Sequence, residues 1–173
     1  HYWADKLGYL TWGETACWGL DMNDIEAGRN FMTEWSELVI RDRNHPSIVI
    51  WTPMNEQFWP DKINYPRLLA DVYDLTKRLD PTRPVNTASG GSVVKTDIWA
   101  VHNYEQDPAK LKEKIYNEGT FFHPRLRTTK DQTRNIGFND VKATANFAWP
   151  QYDGSCPYLL DEFGGIKWVK DQE

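Results

Sequence analysis

Cysteine is scarce in this chain: Cys17 and Cys156 are the only two in 173 residues. Two thiols so far apart build no disulfide framework, and their spacing suits no metal site. Long apolar runs are missing as well. No stretch approaches the roughly 20 apolar residues of a membrane span. There is no basic block, and the formal net charge is −5. Neither nucleic acid nor an anionic membrane is therefore an expected partner. Internal repeats and low-complexity tracts are also absent. Aromatic residues, by contrast, are plentiful at 14%, with 9 Trp. Indole and phenol rings fill cores, and their faces also stack well on sugar rings.

Strand-like and helix-like segments alternate, which argues for a parallel α/β architecture. His1 to Gly8 reads as helix running into a strand over Gly8 to Glu14. A long helix is predicted from Asp24 to Arg43, with Phe31, Trp35, Leu38 and Val39 on its apolar face. Asn23 or Asp24 can cap its start, and Asn44 and Pro46 stop it. A buried strand begins at Ser47. The next helix spans Pro66 to Leu79, with Leu68, Val72, Leu75 and Leu79 predicted to face inward. The turn Asp80-Pro81-Thr82-Arg83-Pro84 leads to a third strand, Val85 to Ser89, closed by Gly90-Gly91. A fourth strand covers Asp97 to Tyr104, a short helix Lys110 to Asn117, and a last strand starts at Pro157. Phe121 to Gly154 reads as a long polar loop, of the kind that is usually functional or mobile.

Two of these apolar runs stop on a glutamate. One is Ser47-Ile48-Val49-Ile50-Trp51-Thr52-Pro53-Met54-Asn55-Glu56; the other is Pro157-Tyr158-Leu159-Leu160-Asp161-Glu162. In a barrel of parallel strands the C-terminal strand ends form the active site. Two glutamates facing each other there are the machinery of glycosidic bond hydrolysis. Strict alternation along the last strand turns Asp161 away from Glu162, which makes Asp161 a structural residue.

The run Arg41-Asp42-Arg43-Asn44-His45-Pro46-Ser47-Ile48-Val49-Ile50-Trp51, followed by Asn55-Glu56, resembles the signature of glycoside hydrolase family 2. This is the family of β-galactosidases, β-glucuronidases and β-mannosidases. Trp3 to Gly8, Leu79 to Pro84, His102-Asn103-Tyr104 and Asp161 to Gly165 resemble further segments of it, in the same order. The resemblance implies a (β/α)8 TIM barrel that is incomplete, with about strands three to seven present and the first two and last units missing. All of residues 1–173 would then form one partial catalytic domain.

By the same resemblance Glu56 is the general acid/base, which must hold a proton at rest and release it once the nucleophile's charge is gone. Glu162 is the nucleophile of a retaining β-glycosidase. Asn55 would bind the sugar 2-hydroxyl, and Tyr104 would donate to Glu162. His102 and Glu14 are further candidates for substrate contact. Family frequency points to a β-galactosidase-like activity on terminal β-glycosidic bonds. No organic cofactor is implied, and no ligand cluster marks a metal. The expected partners are a carbohydrate substrate and either the remaining domains of a parent enzyme or a second copy of the chain. The competing expectations are a non-catalytic carbohydrate-binding or structural domain, or an inactive fragment. His45, Arg41, Asp42 and Arg43 fall at the opposite end of the strand from Glu56, where structural roles are expected. Trp149 and Trp168 are candidates for the sugar site or for packing.

Overall fold

The computed structural model describes residues 1–21, 24–57, 64–116, 150 and 152–164. Asn23, Trp149, Trp168 and most of the Phe121 to Gly154 loop lie outside them. The elements in chain order are α1 (Tyr2–Leu7), β1 (Thr11–Glu14), α2 (Ile25–Asp42), β2 (Ile48–Thr52), β3 (Met54–Asn55), α3 (Tyr65–Leu79), β4 (Ala88–Ser89), β5 (Trp99–Asn103), α4 (Pro108–Tyr116) and β6 (Tyr158–Phe163). β2 and β3 are one strand interrupted at Pro53, which has no N–H to give to a ladder. β1 pairs with β2, β3 with β4, and β5 with β6, all parallel. A bridge from Trp51 to Val85 extends the β3–β4 pairing backwards. β4 also lies against β5, so neighbouring strands follow in chain order. Among the described residues these strands do not close into a barrel.

The long helix starts where its cap predicts. Asp24 Oδ1 accepts from the N–H groups of Glu26 at 2.8 Å and Ala27 at 3.3 Å. Phe31, Trp35 and Val39 point from α2 into the core, with Leu38 at its edge. Of the expected face of α3, Val72 is buried and Leu68 and Leu79 pack against the core, but the helix is turned somewhat from the expectation. Tyr65, Leu69, Val72 and Thr76 face inward, and Leu75 does not reach the core cluster. Polar partners set that rotation. Thr76 Oγ1 accepts from Trp35 Nε1 at 2.8 Å and donates to the Val72 carbonyl at 2.6 Å. Tyr65 OH donates to the Gln57 carbonyl at 2.6 Å. A periodicity count weighs only apolar residues, so it misses a buried Thr and Tyr that find partners. Trp35 and Trp51 meet edge to face in the middle of the core, with ring centroids 5.8 Å apart.

The amino-terminal ends of the strands are tied together by charge. Asp80 Oδ2 accepts from Trp51 Nε1 at 2.9 Å and from Arg83 Nη1 at 2.6 Å. Asp80 Oδ1 accepts from the Thr82 N–H at 2.9 Å and its hydroxyl at 2.5 Å. Arg83 also donates to the carbonyls of Ile48, Arg43 and His45. Asp5, from α1, accepts the Ser47 N–H at 2.8 Å and sits 2.5 Å from His45 Nδ1. Those contacts, His45 first and Ser47 next, hold the Asp5 carboxyl down to about 2.

Candidate active site

Each polar group at the carboxyl ends of the strands arrives on a different segment. Glu14 ends β1, Asn55 ends β3 with Glu56 immediately after it, Ser89 ends β4, Tyr104 follows β5, and Glu162 lies near the end of β6. Gly13 is required next to Glu14, because a Cβ there would fall 2.2 Å from the Trp51 ring.

Glu56 has a backbone φ of 49°, in the left-handed region that non-glycine residues seldom occupy. Such a conformation persists only where its surroundings over-determine it. Here they do. The Glu56 N–H donates to the Ser89 carbonyl at 2.8 Å, and the Gln57 carbonyl accepts from Ser92 N–H at 3.1 Å as well as from Tyr65. The thiol of Cys17 accepts the Asn55 N–H at 3.2 Å, and Trp18 Nε1 donates to the Asn55 carbonyl at 3.2 Å. The loop after β1 therefore holds both backbone polar groups of Asn55, the N–H and the carbonyl that precedes Glu56. Burial pushes the Cys17 thiol up, which keeps it in the neutral form that suits these bonds.

The imidazole of His102 stands at the centre. It is buried on β5, with Nδ1 2.7 Å from Glu56 Oε1. Its Nε2 lies 2.8 Å from Ser89 Oγ, 3.4 Å from Glu162 Oε1 and 3.6 Å from Asp161 Oδ1. Tyr104 OH donates to Glu162 Oε2. That bond, with burial second, raises the Tyr104 hydroxyl well above the ordinary phenol range, so it remains a donor. An oxygen of Glu56 and an oxygen of Glu162 lie within 4.8 Å of each other and of a His102 nitrogen. The same spacing admits a small cation, although the hydrogen bonds just described already engage all three groups.

Asp161 departs from the alternation argument. The β5–β6 register slips by one residue, pairing Val101 with Leu160 but His102 with Glu162. Asp161 is the extra residue of a bulge, and a bulge re-aims side chains that strict alternation would separate. Asp161 and Glu162 consequently approach the same ring nitrogen. Asp161 Oδ2 accepts from Ser89 Oγ at 2.5 Å and from Asn86 Nδ2 at 3.3 Å. Burial raises the Asp161 carboxyl, against the pull of Ser89 and His102. Glu14 is raised too, first by loss of water around it and then by the Glu162 and Asp161 charges.

Gly90 makes the close approach to His102 possible. Its φ is +59°, and a Cβ there would sit 2.5 Å from the imidazole Cγ. Gly90→Ala is expected to cost about 1–3 kcal/mol, through overpacking and a left-handed backbone. Thermal denaturation tests this, and a change below about 0.5 kcal/mol would mean the turn simply relaxes.

Of the residues singled out in the sequence, Glu56, Glu162, Tyr104 and His102 come together directly. Asn55 joins them through its backbone and Glu14 through its electrostatic influence. Ser89, Cys17 and Trp18 were not singled out, and Asp161 was read as a structural residue turned away from Glu162. Ser89 had a signal: it ends a strand as Glu56 and Glu162 do. Asp161 had none, because a bulge is a property of pairing between strands.

Residues 8–148 match the family model described as "Glycosyl hydrolases family 2, TIM barrel domain". A β-galactosidase of Vibrio vulnificus is 37% identical over 79 residues, which cover 45% of this chain and 7% of that protein. A β-glucuronidase of Paenibacillus borealis is 46% identical over 88 residues, covering 44% of this chain and 14% of that protein. The chain therefore matches only a small part of the length of these curated relatives. Among solved structures, a GH2 β-galacturonidase from Eisenbergiella tayi bound to galacturonate superposes with a TM-score of 0.59 at 21% identity. That superposition covers 94% of this chain and 26% of the other, and it agrees with the strands described above being part of a TIM barrel.

Proposed function

Because the chain belongs to glycosyl hydrolase family 2, through the TIM barrel domain of that family, we propose that it carries the catalytic glutamates of a retaining β-glycosidase. The observation that supports this best is the approach of Glu56 and Glu162 to within 4.8 Å, oxygen to oxygen. Retaining enzymes hold their carboxyl groups about 5–5.5 Å apart, whereas inverting ones leave about 6.5–9.5 Å for a water.

In this reading Glu56 protonates the leaving oxygen while Glu162 attacks the anomeric carbon. The C–O bond to the leaving group breaks and a glycosyl ester of Glu162 forms. Water, deprotonated by Glu56, then releases the sugar with its configuration retained. Tyr104 aims the nucleophile and stabilises its charge. Asn55 binds the 2-hydroxyl, and Glu14 lies where a further hydroxyl can be met. His102 is too deeply buried to serve the sugar except through Glu56. The substrate class is a β-linked hexoside or hexuronide, since relatives named for galactoside, glucuronide and galacturonide share this architecture. Residues 1–173 would be one part of the catalytic domain, completed by further segments of a longer polypeptide.

The test uses the full-length protein with a panel of aryl β-galactosides, β-glucuronides and β-galacturonides. The matching 2-deoxy-2-fluoro glycoside should then add one sugar mass to the peptide containing Glu162. Release of the inverted sugar, or a label on another residue, would overturn the proposal. Saturable sugar binding without turnover would favour a carbohydrate-binding domain instead.

A further inference from the structure

We propose that Ser89 and Asp161 fix the tautomer of His102 so that Glu56 and His102 hold one proton between them. This rests on the assignment of Glu56 as the acid/base. The argument follows the hydrogens. Asp161 Oδ2 takes two donors, Ser89 Oγ at 2.5 Å and Asn86 Nδ2 at 3.3 Å. The single hydroxyl proton of Ser89 is therefore committed to Asp161, and Ser89 can only accept from His102 Nε2, 2.8 Å away. Among the described residues, two other groups near Nε2 are carboxylate oxygens of Glu162 and Asp161, at 3.4 and 3.6 Å. A lone pair at Nε2 would face three acceptors, so Nε2 carries hydrogen.

That leaves Nδ1 facing Glu56 Oε1 at 2.7 Å. Either Glu56 is the acid and donates to a neutral ring, or Glu56 is ionised and the ring is an imidazolium. Both states carry one proton on this contact. Removing it would set a bare lone pair against a carboxylate oxygen at hydrogen-bond distance. The proton on this contact is the one given up to the leaving oxygen. The ionised Glu56 that results, opposed by the ring lone pair, is well placed to take a proton from the attacking water. His102 is in these terms a positioning residue acting through Glu56. Among the described residues, the charged and titratable groups facing it are Glu56 from the turn after β3, Asp161 and Glu162 from β6, Tyr104 at 6.2 Å between centroids, and, at longer range, Glu14 from β1.

The full-length protein with His102→Gln is assayed against two aryl glycosides of the same sugar, one with a good and one with a poor leaving group. An amide can donate to ionised Glu56 and presents no opposing lone pair. The alkaline limb of kcat/KM should move to lower pH. The poor leaving group should lose about tenfold more rate than the good one, a share of the 10²–10⁴ supplied by general acid–base catalysis. Equal losses on both substrates with an unmoved limb would assign His102 a merely structural role and overturn the proposal. The second measurement is independent of turnover: ¹⁵N NMR of labelled histidine, over about pH 5 to 9. Nε2 should stay protonated throughout, and the Nδ1 titration should disappear in Glu56→Gln. A bare Nε2, or an Nδ1 titration indifferent to Glu56→Gln, overturns proton sharing even if no glycoside is hydrolysed. Absence of turnover alone would refute the glycosidase assignment and leave the NMR result to decide the His102 contact.

Discussion

Glu162→Gln is expected to lower kcat on an aryl β-glycoside by roughly 10⁶, the scale seen when the nucleophile of another covalent mechanism is removed. The amide keeps the shape of the carboxylate and can still accept from Tyr104, so the fold should persist. In the proposed mechanism, what disappears is the ionised oxygen that attacks the anomeric carbon. Without it no glycosyl ester forms. In Glu162→Ala, which vacates that space, adding azide should restore part of the rate from the same face, and the product should be a glycosyl azide of inverted configuration. The measurement is turnover of the two full-length variants, the second with and without azide. A loss below about tenfold would remove Glu162 from the nucleophile's role, whatever its distance from Glu56.

The second large effect concerns stability. Asp80→Ala is expected to cost about 3–5 kcal/mol, the range for breaking a buried ion pair by deleting one partner. The substitution leaves the Trp51 indole N–H without its acceptor and the largely covered Arg83 without its counter-charge. It also cuts Arg83 loose from the geometry in which it braces three carbonyls. Urea denaturation measures the loss, and a cost below about 1 kcal/mol would mean Arg83 alone carries the junction. The pH dependence has a definite sign. Burial by itself would raise the Asp80 carboxyl, but donors from Thr82, Trp51 and Arg83 outweigh it and hold the group well below the ordinary range. A depressed carboxylate stabilises the fold above its unfolded value, about 3.9. That contribution is lost as pH falls toward the folded value. Asp5, held to about 2, adds to the same trend. Asp80→Ala should accordingly flatten the acid side of the stability curve.

The glutamates were legible because each ends an apolar run, and strand ends are where parallel α/β proteins put chemistry. The cap of α2 was legible because Asp24 precedes a clean 3.6-residue period. The inward face of α3 was legible only in part, at Leu68, Val72 and Leu79. It depends on Thr76 and Tyr65 being satisfied by Trp35 and Gln57, which come from other parts of the chain. The place of Asp161 was hidden for a related reason. Alternation is a rule for one strand by itself, and the slip between Val101 and His102 belongs to two strands together. The left-handed backbone of Glu56 is likewise invisible in a residue type that rarely adopts it. It is imposed by Ser89, Gln57 and the loop carrying Cys17 and Trp18.

The Asp80–Arg83 junction and the carboxylate cluster occupy opposite ends of the same strands, and neither uses a residue of the other. Substitutions far apart with no shared partners add in free energy. In the proposed function, a lineage built on this chain can therefore vary the surroundings of Glu14 to suit a different sugar without spending the stability reserve held at the other end. Mutations near Arg83 draw on that reserve and leave specificity unchanged. Adaptability in such a scaffold is a matter of geography: novelty is tolerated at one rim because robustness is stored at the other.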